Sequence, residues 1–104
     1  MKAVRRPQFL TDLEEGADYL QTQAGDEVLA RWRESVKNTL RLIQQFPELG
    51  RLRSDLPIEG IRTLNLREFP DYLVFYRLRA GRIEFLRVKH GMMHLPGLFE
   101  SENP

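Results

Sequence analysis

The fold is decided by residues 61–90, which read IRTLNLREFPDYLVFYRLRAGRIEFLRVKH. Three runs in this stretch are rich in the β-branched and aromatic residues that favour strands, and residues that favour turns separate them. The three runs are Ile61–Phe69, Tyr72–Leu78 and Arg82–His90. The stretch therefore predicts a meander of three strands joined by tight turns.

Two amphipathic helices are predicted ahead of these strands, because apolar residues recur there every three or four positions. The first helix starts at Pro7 and ends at Gly25, and the second opens at Asp26 and stops before Pro47. The apolar stripes are Phe9, Leu13, Ala17 and Leu20, and then Leu29, Trp32, Val36, Leu40 and Ile43. The short link allows only an antiparallel hairpin, which is expected to cover one face of the sheet.

The remaining segments complete an α+β fold. Lys2–Arg6 is predicted to form a short first strand, and residues 47–60 are predicted to form a loop. Leu95–Phe99 is expected to pack back on the sheet, and Glu100–Pro104 is expected to fray. With 104 residues, the chain is expected to form one domain over residues 1–104.

Composition excludes several classes of function. No apolar run approaches the roughly 20 residues of a membrane-spanning helix, so no membrane association is expected. The N-terminal residues lack the apolar core of a signal peptide, which predicts a cytoplasmic protein. Because the chain has no cysteine, disulfides, cysteine-ligated zinc and thiol catalysis are excluded. Nothing in the sequence indicates a cofactor.

The charge of the chain is nearly balanced, with 16 basic and 15 acidic residues. A protein that grips a nucleic-acid backbone is usually far more basic, so direct nucleic-acid binding is not expected. The predicted sheet is nevertheless the positive part of the chain. Its basic residues are Arg62, Arg67, Arg77, Arg79, Arg82, Arg87 and Lys89, against Glu68, Asp71 and Glu84.

Three of these arginines are candidate functional residues because they lie on apolar faces of their strands. By alternation, Arg62 shares a face with Leu64 and Leu66, Arg77 with Leu73 and Phe75, and Arg87 with Ile83 and Phe85. Such residues can form a solvated basic face, stabilise a scissile phosphate or clamp carboxylates of an acidic partner. The central strands are apolar on both faces, so the second face is either covered by the chain or left for a partner.

The two histidines do not predict a metal site. His90 and His94 have the spacing of a metal pair on a helix, but they flank a turn that contains Gly91, and no third ligand lies nearby in sequence. His90 remains a candidate general acid or base, because the unperturbed pKa of histidine is near neutral.

Four passages of the chain, in order, resemble the ParE toxins of bacterial toxin–antitoxin modules, within the RelE/ParE superfamily. The passages are Leu42–Arg51, Gly60–Arg62, Phe69–Arg77 and Ile83–Gly91. The resemblance implies a helical hairpin on a four-stranded antiparallel sheet, and a cognate, ParD-like antitoxin that folds over the toxin. For the ParE branch the implied target is DNA gyrase. For the RelE branch it is mRNA on the ribosome, which the toxin cleaves.

The residues favour the ParE branch. Positions where RelE-type nucleases carry catalytic cations or a tyrosine are here Thr63, Asn65, Leu73, Met93 and Phe99. If the chain were a nuclease, other residues would have to take over, namely Arg62, Arg77, Arg87 and His90. A third alternative is a non-toxic module that binds the antitoxin, because Met93 and His94 depart from the Arg and Asp that are frequent there in the family.

The same resemblance implies two kinds of antitoxin contact. An apolar helix of the antitoxin would cover apolar surface on the hairpin, with Leu29 and Trp32 as the expected contacts. An acidic extended tail would lie along the sheet and pair with Arg62, Arg77 or Arg87.

Overall fold

The architecture is α+β, as the sequence predicts, in a computed structural model that describes residues 1–91 and Phe99. The elements are β1 (Lys2–Arg5), α1 (Pro7–Ala24), α2 (Asp26–Gln45), β2 (Arg51–Leu52), β3 (Ile61–Asn65), β4 (Tyr72–Arg79) and β5 (Arg82–His90). The strands form one sheet in the order β1-β5-β4-β3-β2. The predictions for Met93, His94, Leu95–Leu98 and Glu100–Pro104 lie outside the described residues.

The sheet has five strands rather than the expected four, and it is not fully antiparallel. Strand β1 pairs in parallel with β5. The helical hairpin that follows β1 carries the chain to the opposite edge of the sheet, where β2 lies. Strand β2 lies in the segment predicted as a loop, where Arg51 pairs with Thr63 and Leu52 with Arg62. A strand of two residues is too short to show an alternating pattern in the sequence.

The turn before β4 begins earlier than the sequence predicts, since β3 stops at Asn65 rather than Phe69. The side-chain amide of Asn65 donates to the carbonyl of Pro70 at 2.6 Å, and the amide of Leu66 donates to the carbonyl of Tyr72 at 3.0 Å. These bonds close the β3–β4 connection.

The predicted helical hairpin is confirmed. Gly25 joins the two helices with a φ of 88°, a conformation that favours glycine, and its amide donates to the Leu20 carbonyl. Gly16 lets α1 approach α2 closely, because a Cβ at this position would lie 2.9 Å from the Trp32 ring. Among residues 1–91 and Phe99, no helix is both long enough and apolar enough to cross a membrane.

The hydrophobic core lies between the hairpin and one face of the sheet, here called the inner face. Both helical stripes supply it, together with side chains of β4 and β5. Its largest fully buried side chains include Phe9, Trp32, Ile43, Tyr76 and Phe85.

The outer face of the sheet is covered at its centre by the chain itself, which answers one alternative left open by the sequence. Leu56 of the β2–β3 connection and Phe99 pack there against Phe75, which is fully buried. The rings of Phe75 and Phe99 lie 5.7 Å apart.

Candidate functional site

The predicted site residues do not gather into one site; each arginine has its own intramolecular partners. Arg62 lies on the inner-face side of β3, opposite Tyr76, as the alternation predicts. Its Nη1 donates to the carbonyl of Gly50 at 2.8 Å and to that of Glu48 at 3.1 Å. Arg62 thus holds the end of the α2–β2 turn against the sheet.

Tyr76 holds the same turn from inside the core. Its hydroxyl donates to the carbonyl of Pro47 at 2.8 Å and accepts the amide of Gly50 at 2.8 Å. Burial raises the pKa of the Tyr76 hydroxyl, so this group remains a proton donor at neutral pH. A Cβ on Gly50 would lie 2.6 Å from the tyrosine oxygen, so the contact requires glycine.

The four residues Pro47, Gly50, Arg62 and Tyr76 are here called the turn clamp. They come from three of the four passages that carry the family resemblance. The clamp fixes the α2–β2 turn to two strands through backbone carbonyls and one amide. These residues therefore have a structural role in the fold.

Arg77 is engaged by a buried carboxylate. It lies on the outer face, as predicted, opposite Glu84, and its Nε donates to Glu84 Oε1 at 2.8 Å. Glu84 is only 3% exposed. Burial would raise the pKa of Glu84, but the hydrogen bond from Arg77 and the charges of Arg77, Arg6 and Arg79 outweigh it. The pKa of Glu84 is therefore lowered.

This lowered pKa predicts acid sensitivity. A carboxyl whose folded pKa lies below its unfolded pKa stabilises the fold at higher pH, and that stabilisation is lost as the pH falls through the folded pKa. We expect the free energy of unfolding to fall more steeply in the wild type than in Glu84→Gln as the pH drops below the usual pKa of glutamate. Urea denaturation at several pH values measures this. An unchanged slope in Glu84→Gln would contradict the assignment.

Arg87 is engaged by a second buried carboxylate, Asp12 of α1. Its Nε and Nη2 lie 2.8 and 3.1 Å from the two oxygens of Asp12, which is 3% exposed. The same carboxylate accepts the Val88 amide at 3.1 Å and lies 3.2 Å from Lys89 Nζ. Asp12 is thus the point at which α1 is tied to the free edge of β5, beyond the residues that pair with β1.

The predicted face of Arg87 is wrong. The register between β4 and β5 shifts between Phe75 and Tyr76, so that Phe85 pairs with Tyr76 but Arg87 pairs with Phe75. A β-bulge of this kind inserts one extra residue, here Leu86, and reverses the alternation beyond it. Arg87 therefore lies with Phe75 on the outer-face side, while Ile83 and Phe85 face the helices.

His90 lies at the inner-face end of β5, paired with Tyr72. The two rings meet edge to face at 5.3 Å, and Gly16, Tyr19 and Lys89 line the groove beside them. Among residues 1–91 and Phe99, no group of three or more His, Asp or Glu side chains is placed to hold a metal ion. His90 is also apart from the turn clamp and from the Glu84 pair, so the four candidate nuclease residues do not form a constellation.

Four of the five positions that the resemblance matches to catalytic positions of RelE-type nucleases hold residues that bond or pack within the fold. Thr63 is buried and accepts a hydrogen bond from Arg53 at 3.4 Å, and Asn65 closes the β3–β4 turn. Leu73 and Phe99 pack in the apolar cover of the outer face. Met93 lies outside the described residues.

The two expected apolar contacts of a partner differ in accessibility. Trp32 is 1% exposed and sits in the core, so as packed here it is not on the surface that a partner meets. Leu29 is half-buried at the edge of the same cluster.

Sequence reasoning missed an exposed apolar surface at the end of α2. Met1, Phe46, Leu49 and Leu78 are exposed there and line a common groove. Phe46 continues the spacing of the α2 stripe in the sequence, but the structure leaves it exposed.

Comparisons with known proteins agree with the fold. The family model described as ParE toxin of type II toxin-antitoxin system, parDE, matches residues 4–95. A solved structure described as a chromosomal ParDE TA system from P. aeruginosa matches with a TM-score of 0.73 at 23% sequence identity. The match covers 86% of this chain and 95% of that chain. No curated protein matches the chain in sequence.

Proposed function

The chain belongs to the ParE toxin family of type II toxin–antitoxin systems, and from this membership we propose that it arrests bacterial growth by inhibiting DNA gyrase in the cytoplasm. A cognate, ParD-like antitoxin neutralises it by folding over it. The observation that carries the proposal is the family match, which spans residues 4–95 and so includes every described helix and strand except the first residues of β1.

The chemistry of the sheet supports an inhibitor that binds, rather than a nuclease. A phosphodiester cleavage site needs cations and a general acid or base that converge on one phosphate. Here Arg77 and Arg87 are each committed to a buried carboxylate, and Arg62 is committed to backbone carbonyls. Arg77 and Arg87 therefore have counter-ions within the fold, and the guanidinium of Arg62 is held at the α2–β2 turn.

The antitoxin contacts follow from the same geometry. We propose that Leu29 contributes to the apolar contact and that Trp32 supports it from the core. Arg62, Arg77 and Arg87 remain proposed contacts for an acidic segment. Arg77 and Arg87 are mostly buried, so such a segment would meet them beside Glu84 and Asp12 rather than replace these carboxylates.

Expression in bacteria tests the function. Induction of the chain alone is expected to stop growth while cellular mRNA stays intact, and co-expression of the antitoxin encoded beside it is expected to restore growth. Viable-cell counts and RNA blots measure the two effects. Growth arrest accompanied by cleavage of translated mRNA would instead support the RelE-type alternative. Undisturbed growth would support the non-toxic binding module.

A further inference from the structure

One end of the outer face carries a dense group of positive charges that the proposed function does not use. Lys2 pairs in register with Arg82, and Arg82 pairs with Arg79, so three cations stand side by side across β1, β5 and β4. These three residues are here called the cation row. Because neighbouring strands lie about 4.8 Å apart, the row spans about 10 Å at the backbone.

The row lies on the outer face by the same register that places the Arg77–Glu84 pair there. Arg82 is two residues before Glu84, and Arg79 is two residues after Arg77, so their side chains point to the same side. Arg77 in turn pairs with Ile61, whose side chain belongs to the outer-face apolar cluster.

Within the described part of the chain these charges are only partly neutralised. Glu84 is shared, because its Oε1 lies 2.8 Å from Arg77 Nε while its Oε2 forms a longer ion pair with Arg82 Nη2 at 3.7 Å. One carboxylate thus faces Arg77 as well as the three cations of the row. Lys2 and Arg79 are exposed, and the Arg82 side chain is 43% exposed. The Arg82 Nε is buried and has no hydrogen-bond partner among the described residues. The row therefore holds both surplus charge and an unused donor.

We propose that the cation row binds a carboxylate-rich segment of a partner protein. Arginine pairs with planar carboxylates through two parallel hydrogen bonds, and the row offers two arginines and a lysine on one surface. Rotation of the Arg82 guanidinium toward such a segment would give its Nε a partner. This assignment does not depend on whether the partner is an antitoxin or a target.

An acidic protein segment fits the row better than a nucleic acid does. The chain as a whole carries a net charge of only +1, which gives a long polyanion little to bind beyond this patch. Single-stranded nucleic acids also use aromatic side chains as stacking platforms. The described aromatic residues on the outer face, Phe75 and Phe99, are buried.

The test measures binding of a fluorescein-labelled oligoglutamate peptide to the full-length chain by fluorescence anisotropy at low salt. The triple variant Lys2→Gln, Arg79→Gln, Arg82→Gln is expected to bind about tenfold more weakly, because three exposed ion pairs of modest strength would be lost.

The matched control is Arg33→Gln, Lys37→Gln, Arg41→Gln, which removes the same charge from exposed positions on α2 and should bind nearly as the wild type does. The double variant Lys2→Gln, Arg79→Gln leaves Arg82 in place, so it tests the row even if the triple variant is poorly folded.

Two results would overturn the proposal. One is equal weakening by the row variants and by the α2 control, which would mean that only net charge matters. The other is unchanged peptide binding by the row variants. If these variants also lose binding to a labelled DNA duplex, the row belongs to nucleic acid. Gyrase inhibition and growth arrest are separate measurements, so their outcome does not decide this one.

Discussion

Replacing Asp12 by alanine is expected to destabilise the protein more than any other single carboxylate change, by about 3–5 kcal/mol. The carboxylate is buried and receives Arg87 through two nitrogens, the Val88 amide and the charge of Lys89. Its removal takes a two-point carboxylate contact from the mostly buried Arg87 cation and the acceptor from the Val88 amide, and the loss of such buried contacts is costly.

Urea denaturation of the wild type and Asp12→Ala measures this loss. The matched control is Glu14→Ala, an exposed carboxylate on the same helix, for which a change within about 0.5 kcal/mol is expected. In thermal unfolding, the loss corresponds to a decrease in Tm of about 4–8 °C per kcal/mol for a domain of this size. A stability close to that of Glu14→Ala would show that Asp12 does not anchor α1 to β5.

Gly50→Ala is expected to lower the free energy of unfolding by about 2–4 kcal/mol. The new methyl group would lie 2.6 Å from the Tyr76 oxygen and 2.7 Å from a ring carbon, and the ring is fixed in the core. To relieve the clash, the turn must move away, and it then loses the hydrogen bonds between Tyr76 and the backbone of Pro47 and Gly50.

Two further variants separate these contributions. Tyr76→Phe keeps the ring but removes both hydrogen bonds, so a smaller loss of about 1–3 kcal/mol is expected. Glu48→Ala changes an exposed side chain in the same turn and should be nearly neutral. If Gly50→Ala is as stable as Glu48→Ala in urea denaturation, the turn relaxes freely and the turn clamp is not a rigid feature.

The elements with strong periodicity were predictable from the sequence. The predicted apolar stripes of α1 and α2 agree with the structure, as do the predicted start of β4 and both ends of β5. Long runs with a clear period leave little choice of local structure. The parallel pairing of β1 and the short strand β2 were not predicted. Both depend on where the chain returns in space, and neither leaves a local pattern.

The candidate site was predicted only in part. Alternation placed Arg62 and Arg77 correctly, but the bulge at Leu86 moved Arg87 to the other side. The internal partners of the arginines were missed altogether. Asp12 is 75 residues from Arg87 in the sequence. Its position is explained equally well by the preference for carboxylates near a helix N-terminus, so the sequence does not reveal it as the partner of Arg87. A pair at this separation becomes visible only when α1 packs on β5.

Four residues in the passages that carry the family resemblance hold the fold. Pro47, Gly50, Arg62 and Tyr76 fasten one turn to the sheet. Because one fold can host different functions, the proposal of a gyrase inhibitor over a nuclease uses positions outside the turn clamp, such as Thr63, Asn65 and Leu73.

A supercoiling assay with purified gyrase, relaxed plasmid DNA and ATP tests the proposed function. The purified chain is expected to block supercoiling and to cause cleaved DNA to accumulate, and prior addition of the antitoxin is expected to prevent both effects. Normal supercoiling at a large excess of the chain, together with cleavage of ribosome-bound mRNA by the same preparation, would show that the chain does not act on gyrase.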